Sequence, residues 1–273
     1  MVKQANLPKE AYAAIELLRK HVYFASGLIF ISEHVGYRPG CLHTFLGNSG
    51  AGKSTLVRTL VIDLLEASKP TDKIFVYLSE ETVHEFLSQL HRSGYDQNLD
   101  RLYVLSEIDF FTEKMTKRQV KEKLIEGITE CGASIMIFDN ITTSQLYFDL
   151  PPEGQSRTAL GLSKLAKDKN IPIIIIAHTE GKITENHPRI IDQNEIRGNK
   201  TIVNLSHFFY IMQRFDLGEG HYYQTIRITK HRGQDVEHRL FGMRYHRERS
   251  IYYDFKKLKF TDFREAYKKR VTL

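Results

Sequence analysis

Residues 47–54 read Gly-Asn-Ser-Gly-Ala-Gly-Lys-Ser, a stretch that leaves the surrounding chain few choices of fold. The pattern is G-x-x-x-x-G-K-[ST], a loop shaped to hold phosphate. Gly47, Gly50 and Gly52 let the backbone curl until successive N–H groups, those of Asn48, Ser49 and Ala51 among them, line one anion-binding concavity. Lys53 brings a mobile positive charge to the β- and γ-phosphates, and Ser54 offers its hydroxyl to Mg²⁺. From Thr55 onward the apolar residues follow a helical period, so a helix N-terminus faces the phosphates, and residues 42–46 read as a buried strand before the loop. ATP and Mg²⁺ are the ligands expected here. The competing reading is a glycine-rich turn ahead of an ordinary helix.

The chain has 273 residues, 41% of them hydrophobic, enough for one large α/β domain with its own core. A net charge of +6 suits a polyanionic partner, and it also suits a plain solvated surface. Cys41 and Cys131 stand in no metal or redox spacing, which points to a reducing compartment and away from a disulfide scaffold. The N-terminus is polar, with no apolar core of a signal peptide, and the apolar run 171–177 is too short to span a bilayer. A cytoplasmic protein without a membrane partner is expected.

Behind Pro8, residues Ala11, Ala14, Ile15, Leu18 and Val22 fall at helical spacing over 8–24. This segment is either a helix packed on its own domain or an exchange helix that docks on a neighbouring subunit. A turn at 37–40 leads into the first strand. A second strand over 73–78 ends at Glu80 and Glu81, followed by a helix over 82–92 and a strand over 101–105. Carboxylates at the carboxyl end of a core strand lie where ligands bind in open parallel sheets, and one of them could orient the water that attacks the γ-phosphate. Both could instead favour the N-terminus of the next helix.

A helix is expected over 117–130, and a strand over 133–139 that ends in Asp139, a second anchor for Mg²⁺ or a capping residue. The stretch 140–157, with Pro151, Pro152 and Gly154, reads as a mobile loop, and a helix follows over 156–169. The strand 171–177 delivers His178 to the same sheet edge as Glu80 and Asp139, where an imidazole can touch the γ-phosphate and report its loss. A second polar loop, 179–195, carries Lys182, His187 and Arg189. Strands over 207–212, 222–229, 239–245 and 250–255 then form an antiparallel closing section. His231, His238 and His246 match no common metal spacing and are read as non-ligands. The tail from 256 onward sets Lys and Arg around Leu258, Phe260, Phe263 and Tyr267, either as a solvated helix end or as a partner contact.

In order, these motifs resemble the RecA-like ATPase core of the hexameric helicases, the group of DnaB-type replicative helicases, phage primase–helicases, mitochondrial Twinkle and plasmid RepA helicases. The residues that carry the likeness are the phosphate loop, Tyr-Leu-Ser before Glu80 and Glu81, Ile-Phe before Asp139, Ile-Ala before His178, Ile-Arg197-Gly-Asn, and Thr-Lys230-His-Arg232-Gly. The likeness spans about 26–255; stretches 77–81 and 100–107 are also similar to RadA branch-migration ATPases and the KaiC group.

The resemblance implies a RecA-like P-loop NTPase of α/β class: a mainly parallel central sheet with helices on both faces and C-terminal antiparallel strands. It divides the chain into a helical extension at 1–25, an ATPase domain at 26–255 and a basic tail at 256–273. Glu80 would activate water, or Glu81 if the register differs by one; Asp139 with Ser54 would hold Mg²⁺; and His178 would be the sensor. Lys230 and Arg232 match the strand end that reaches into the next subunit's ATP site, which requires a head-to-tail ring or filament, expected as a hexamer. The loops 140–157 and 179–195 would face single-stranded DNA, with Lys182, Arg189 and Arg197 as its contacts. The first of these loops offers Arg157 against Asp149 and Glu153, a thin supply of positive charge. The implied function is a ring-forming, ATP-dependent DNA helicase or translocase of minimal phage or plasmid type, with replication or recombination proteins as partners. A RadA- or RecA-like recombination ATPase stands beside it, as does a KaiC-like nucleotide-switched assembly ATPase without DNA binding.

Overall fold

Strands covered on both faces show as unbroken apolar runs, and four such runs form the centre of the sheet in the computed structural model, which describes residues 24, 26–32, 36–111, 115–180, 190–218, 221–232 and 240–258. In chain order the strands are β1 (Leu42–Gly47), β2 (Ile74–Leu78), β3 (Leu102–Ser106), β4 (Ile135–Asp139), β5 (Ile173–His178), β6 (Phe208–Gly218), β7 (His221–His231), β8 (Leu240–His246) and β9 (Ile251–Leu258). They make one sheet in the order β3-β2-β4-β5-β1-β6-β7-β8-β9. Strands β3 through β6 along that order run parallel, and β6 to β9 pair antiparallel. The fold is therefore α/β with a mixed, mostly parallel central sheet.

Alternation along each strand feeds two cores. Ile135, Ile137, Ile174 and Ile176 join the helix Lys53–Ala67 on one face, while Met136, Phe138, Ile173 and Ile175 meet the helices Lys117–Cys131 and Pro152–Lys169 on the other. Local chemistry sets the helix ends. Thr82 with Glu85 and Thr116 with Gln119 form capping boxes, and Gly132 and Asn170 close their helices in the left-handed region.

The helix Lys53–Ala67 is buried along most of its length, because β9 crosses its outer side: the Tyr252 N–H donates to Thr59 Oγ1 at 3.0 Å. Beside it, Asp63 accepts from Ser26 Oγ and from the Gly27 N–H, both at 2.6 Å. Burial raises the Asp63 carboxyl from 3.8 to about 6, against the pull of those two hydrogen bonds. A raised value means that the folded chain holds this proton more tightly than the unfolded one. The contribution is present at acid pH and is lost as pH rises from about 4 through about 6. Asp63→Asn is expected to remove this dependence, worth about 3 kcal/mol, and to match or exceed the wild type in denaturant stability at pH 7.5. An equal stability difference at pH 4.5 and pH 7.5 would contradict it.

Several expectations need correction. The helix expected from 156 begins at Pro152, since a proline at the first helical position gives up only an N–H that has no partner there. The stretch before it is not an open loop: Ile141, Ser144 and Tyr147 are buried. Glu107, itself buried, draws it in by accepting from the Ser144 hydroxyl and, at 2.9 Å, from the Gln145 N–H, while the Tyr77 hydroxyl donates to the same carboxylate at 2.8 Å. Strand β9 also runs three residues past the expected boundary at 255. The segment 8–23, the loop positions Lys182, His187 and Arg189, His238, and the tail beyond 258 lie outside the described residues.

Candidate active site

The sheet order sets β2, β4, β5 and β1 side by side and parallel. Everything that follows these strands therefore emerges along one edge: Glu80 and Glu81 after β2, Asp139 at the end of β4, His178 at the end of β5, and the 47–54 loop after β1. This is where ligands bind in open parallel sheets.

The loop turns at Gly50 (φ 76°) and Gly52 (φ 79°), where L side chains are disfavoured. A Cβ at Gly52 would lie 2.0 Å from the Tyr252 hydroxyl, so this position is closed to side chains for two independent reasons. From behind, the Gln224 Nε2 donates to the Ala51 carbonyl at 2.6 Å. Lys53 is 7% exposed, and its Nζ donates to the Asn48 carbonyl at 2.7 Å. Burial lowers its pKa to about 8, opposed by the charges of Asp139 and Glu80. Ser54 and Thr55 begin the helix beyond, with Ser54 exposed.

Asp139 is buried, and desolvation followed by the charges of Glu81 and Glu80 raises it to about 7, with Lys53 and Arg58 pulling the other way. The Asp139–Asn140 peptide is cis. The Asn140 side chain is fixed by its Oδ1, which accepts from the Thr142 hydroxyl, the Thr143 N–H and the Thr143 hydroxyl at 2.8, 3.0 and 2.9 Å. Its Nδ2 is thereby turned toward His178 Nε2 at 2.9 Å, and the same Nε2 lies 3.5 Å from Glu80 Oε1. A neutral imidazole accepts the Asn140 proton at Nε2, whereas a charged one donates from that atom to Glu80. Contact with His178 is the main reason that Glu80 drops to about 2, with Asn140 and Thr143 assisting and burial opposing. Glu81 shifts up through burial, offset by Arg58.

Arg197 joins this edge through its backbone: its N–H donates to the His178 carbonyl at 2.8 Å, while its guanidinium lies 4.8 Å from the centre of the Phe148 ring. Lys230 and Arg232 are elsewhere. The strand register puts His231 opposite Phe208 and Phe208 opposite His43, four residues before Gly47. At roughly 3.3 Å per residue this is about 13 Å from the loop, at the other edge of the sheet. There the Lys230 Nζ donates to the Val203 carbonyl at 2.6 Å and the Arg232 Nη2 to the Asn204 carbonyl at 2.5 Å.

No protein-family model and no curated protein matches the chain. The site is therefore read from its own geometry.

Several participants are invisible in the motif pattern. Arg58 is 5% exposed and its charge acts on Glu81 and Asp139. Its place four residues after Ser54, on the same helix face, is a signal that could have found it. Tyr252 and Gln224 arrive from the antiparallel strands, and nothing local in the sequence ties them to the loop.

The donor set fits Mg²⁺. Asp139 is a buried carboxylate with raised affinity for a proton, Ser54 is an exposed hydroxyl, and the buried Asn48 Oδ1 has no hydrogen-bond partner among the described residues. No three or more of His, Cys, Asp and Glu are placed to hold a metal ion together among the described residues, which is compatible with an ion that takes one or two protein ligands and completes its shell with water and phosphate.

Proposed function

We propose that the chain is a RecA-like, ring-forming ATPase that moves along or unwinds single-stranded DNA. The observation that carries this reading is the division of charged groups between two sheet edges. Lys53, Asp139, Glu80 and His178 gather at one edge, while Lys230 and Arg232 stand about 13 Å away at the other, too far to serve the phosphate loop of their own chain. In a head-to-tail assembly the second edge meets the first edge of the next subunit.

Within that reading Lys53 and the loop N–H groups bind the phosphates, and Ser54 and Asp139 would hold Mg²⁺, which supplies charge neutralisation on the phosphate oxygens when bound. Glu80 orients the attacking water. His178 reports the γ-phosphate by exchanging its partner between Glu80 and Asn140, and passes the change to Arg197 through the backbone bond at its carbonyl. Arg232 and Lys230 of the neighbour offset charge on the transferring phosphoryl group.

One observation favours a second reading, a KaiC-like assembly ATPase without DNA: residues 141–147, expected to face DNA, are packed into the fold by Glu107. The test is the ATPase rate with and without single-stranded DNA, with particle mass measured alongside. A several-fold stimulation on a multimer is expected, together with strand displacement from a forked duplex. An unstimulated multimer would favour the assembly ATPase, and full-rate hydrolysis by a monomer would defeat both.

A further inference from the structure

We propose that the groove between the helices Lys117–Cys131 and Pro152–Lys169 is a docking surface for an acidic amphipathic helix of a partner protein. The groove has a volume of about 360 Å³ and an apolar floor of Leu124, Leu146, Leu162 and Leu165. That is the lower end of the size range of built binding sites. Ile125, which also lines the groove, is 40% exposed.

Gly161 lies in this groove, in the interior of the second helix, and a Cβ there would meet nothing within 4 Å. Alanine at an interior helical position is more stable than glycine. The notch is thus open space held at a cost to the helix.

The rim decides the occupant. Lys121, Arg157 and Lys164 surround the apolar floor with Asp168 as the carboxylate among the lining residues, and Asp168 is 4.0 Å from Lys164. Lys121 and Arg157 make no ion pair among the described residues. A neutral apolar molecule would leave those charges unused. The amphipathic end segments of a second copy offer the wrong sign: segment 8–24 carries Lys9, Arg19 and Lys20 against Glu10 and Glu16, and the tail after 256 is more basic still. An incoming helix with apolar anchors at i, i+3, i+4 and i+7 and glutamates on its flanks satisfies both the floor and the rim.

The test uses two labelled synthetic peptides with the same leucine anchors, one flanked by glutamates and one by lysines, titrated against the full chain by fluorescence anisotropy. The acidic peptide is expected to bind at least about ten-fold more tightly than the basic one. Gly161→Leu fills the notch and adds helix propensity, so the variant should melt no lower than wild type, yet lose at least about ten-fold in affinity for the acidic peptide. Lys121→Glu with Arg157→Glu should reverse the charge preference. Equal binding of the two peptides, no binding of the acidic one, or unchanged affinity in a folded Gly161→Leu variant overturns the proposal. So does dissociation of a wild-type multimer by Gly161→Leu, which would seat a second copy in the groove. ATP hydrolysis is not a readout of this test, so the result is independent of the reading of the nucleotide site.

Discussion

Lys53→Ala is expected to lower nucleotide turnover by about a thousand-fold or more, the scale set by losing a preorganised charge at a transferring phosphoryl group. The fold should survive the change. Lys53 is almost wholly buried, and burial already weakens its hold on its proton, down to about 8. A buried ammonium is unfavourable unless opposite charge compensates it, and here Asp139 and Glu80 offset the burial only in part while the ammonium donates to the neutral Asn48 carbonyl. Alanine removes that burden and is a better helix former at the start of Lys53–Ala67. The variant should thus unfold at the wild-type temperature or above it while losing phosphate release and the binding of a fluorescent ATP analogue. Hydrolysis at the wild-type rate would exclude the 47–54 loop from the chemistry. Joint loss of fold and activity would show that Lys53 is structural.

The second large effect should come from mixing variants. Arg232→Ala alone and Glu80→Gln alone are each expected to cut the rate by about a thousand-fold, as loss of an arginine finger or of the water-orienting group does in phosphoryl transfer. Glu80→Gln should still bind ATP; if Glu81→Gln alone has this property, Glu81 is the base. Arg232 lies at the sheet edge opposite Lys53, attached to the Asn204 carbonyl, so in the proposed reading it acts on another copy. In a one-to-one mixture, about a quarter of the seams join an intact Glu80 to an intact neighbouring Arg232, and about a quarter of wild-type turnover should return. No recovery would overturn the assignment of Arg232 to a neighbouring subunit's site.

Much of the architecture could be read in advance because it rests on local rules. The apolar runs 135–138 and 173–177 are buried on both faces, so their strands carry no alternation to misread. The glycine, lysine and serine positions at 47–54 fall where a strand gives way to a helix, and that context makes the loop identifiable. Local rules also misled. Pro151 and Pro152 resemble a loop until Pro152 is recognised as the first residue of a helix. The packing of 141–147 depends on Glu107, which lies more than 30 residues earlier and whose carboxylate has no counterpart in any local pattern. Arg58 shares a helix with the loop and could have been found by counting turns, whereas Tyr252 and Gln224 reach it only through tertiary folding.

Strand β7 is gripped at two places with different purposes. Gln224 is fastened to the Ala51 carbonyl, and six residues on, Lys230 is fastened to the Val203 carbonyl. The residues between these two points are extended, with one bulge where the register against β6 shifts between Phe209 and Tyr210. Within the proposed reading, a displacement of the loop around phosphate would reach the opposite rim of the molecule along this strand. Cutting either fastening would then disconnect one rim from the other while leaving the phosphate-facing groups chemically intact.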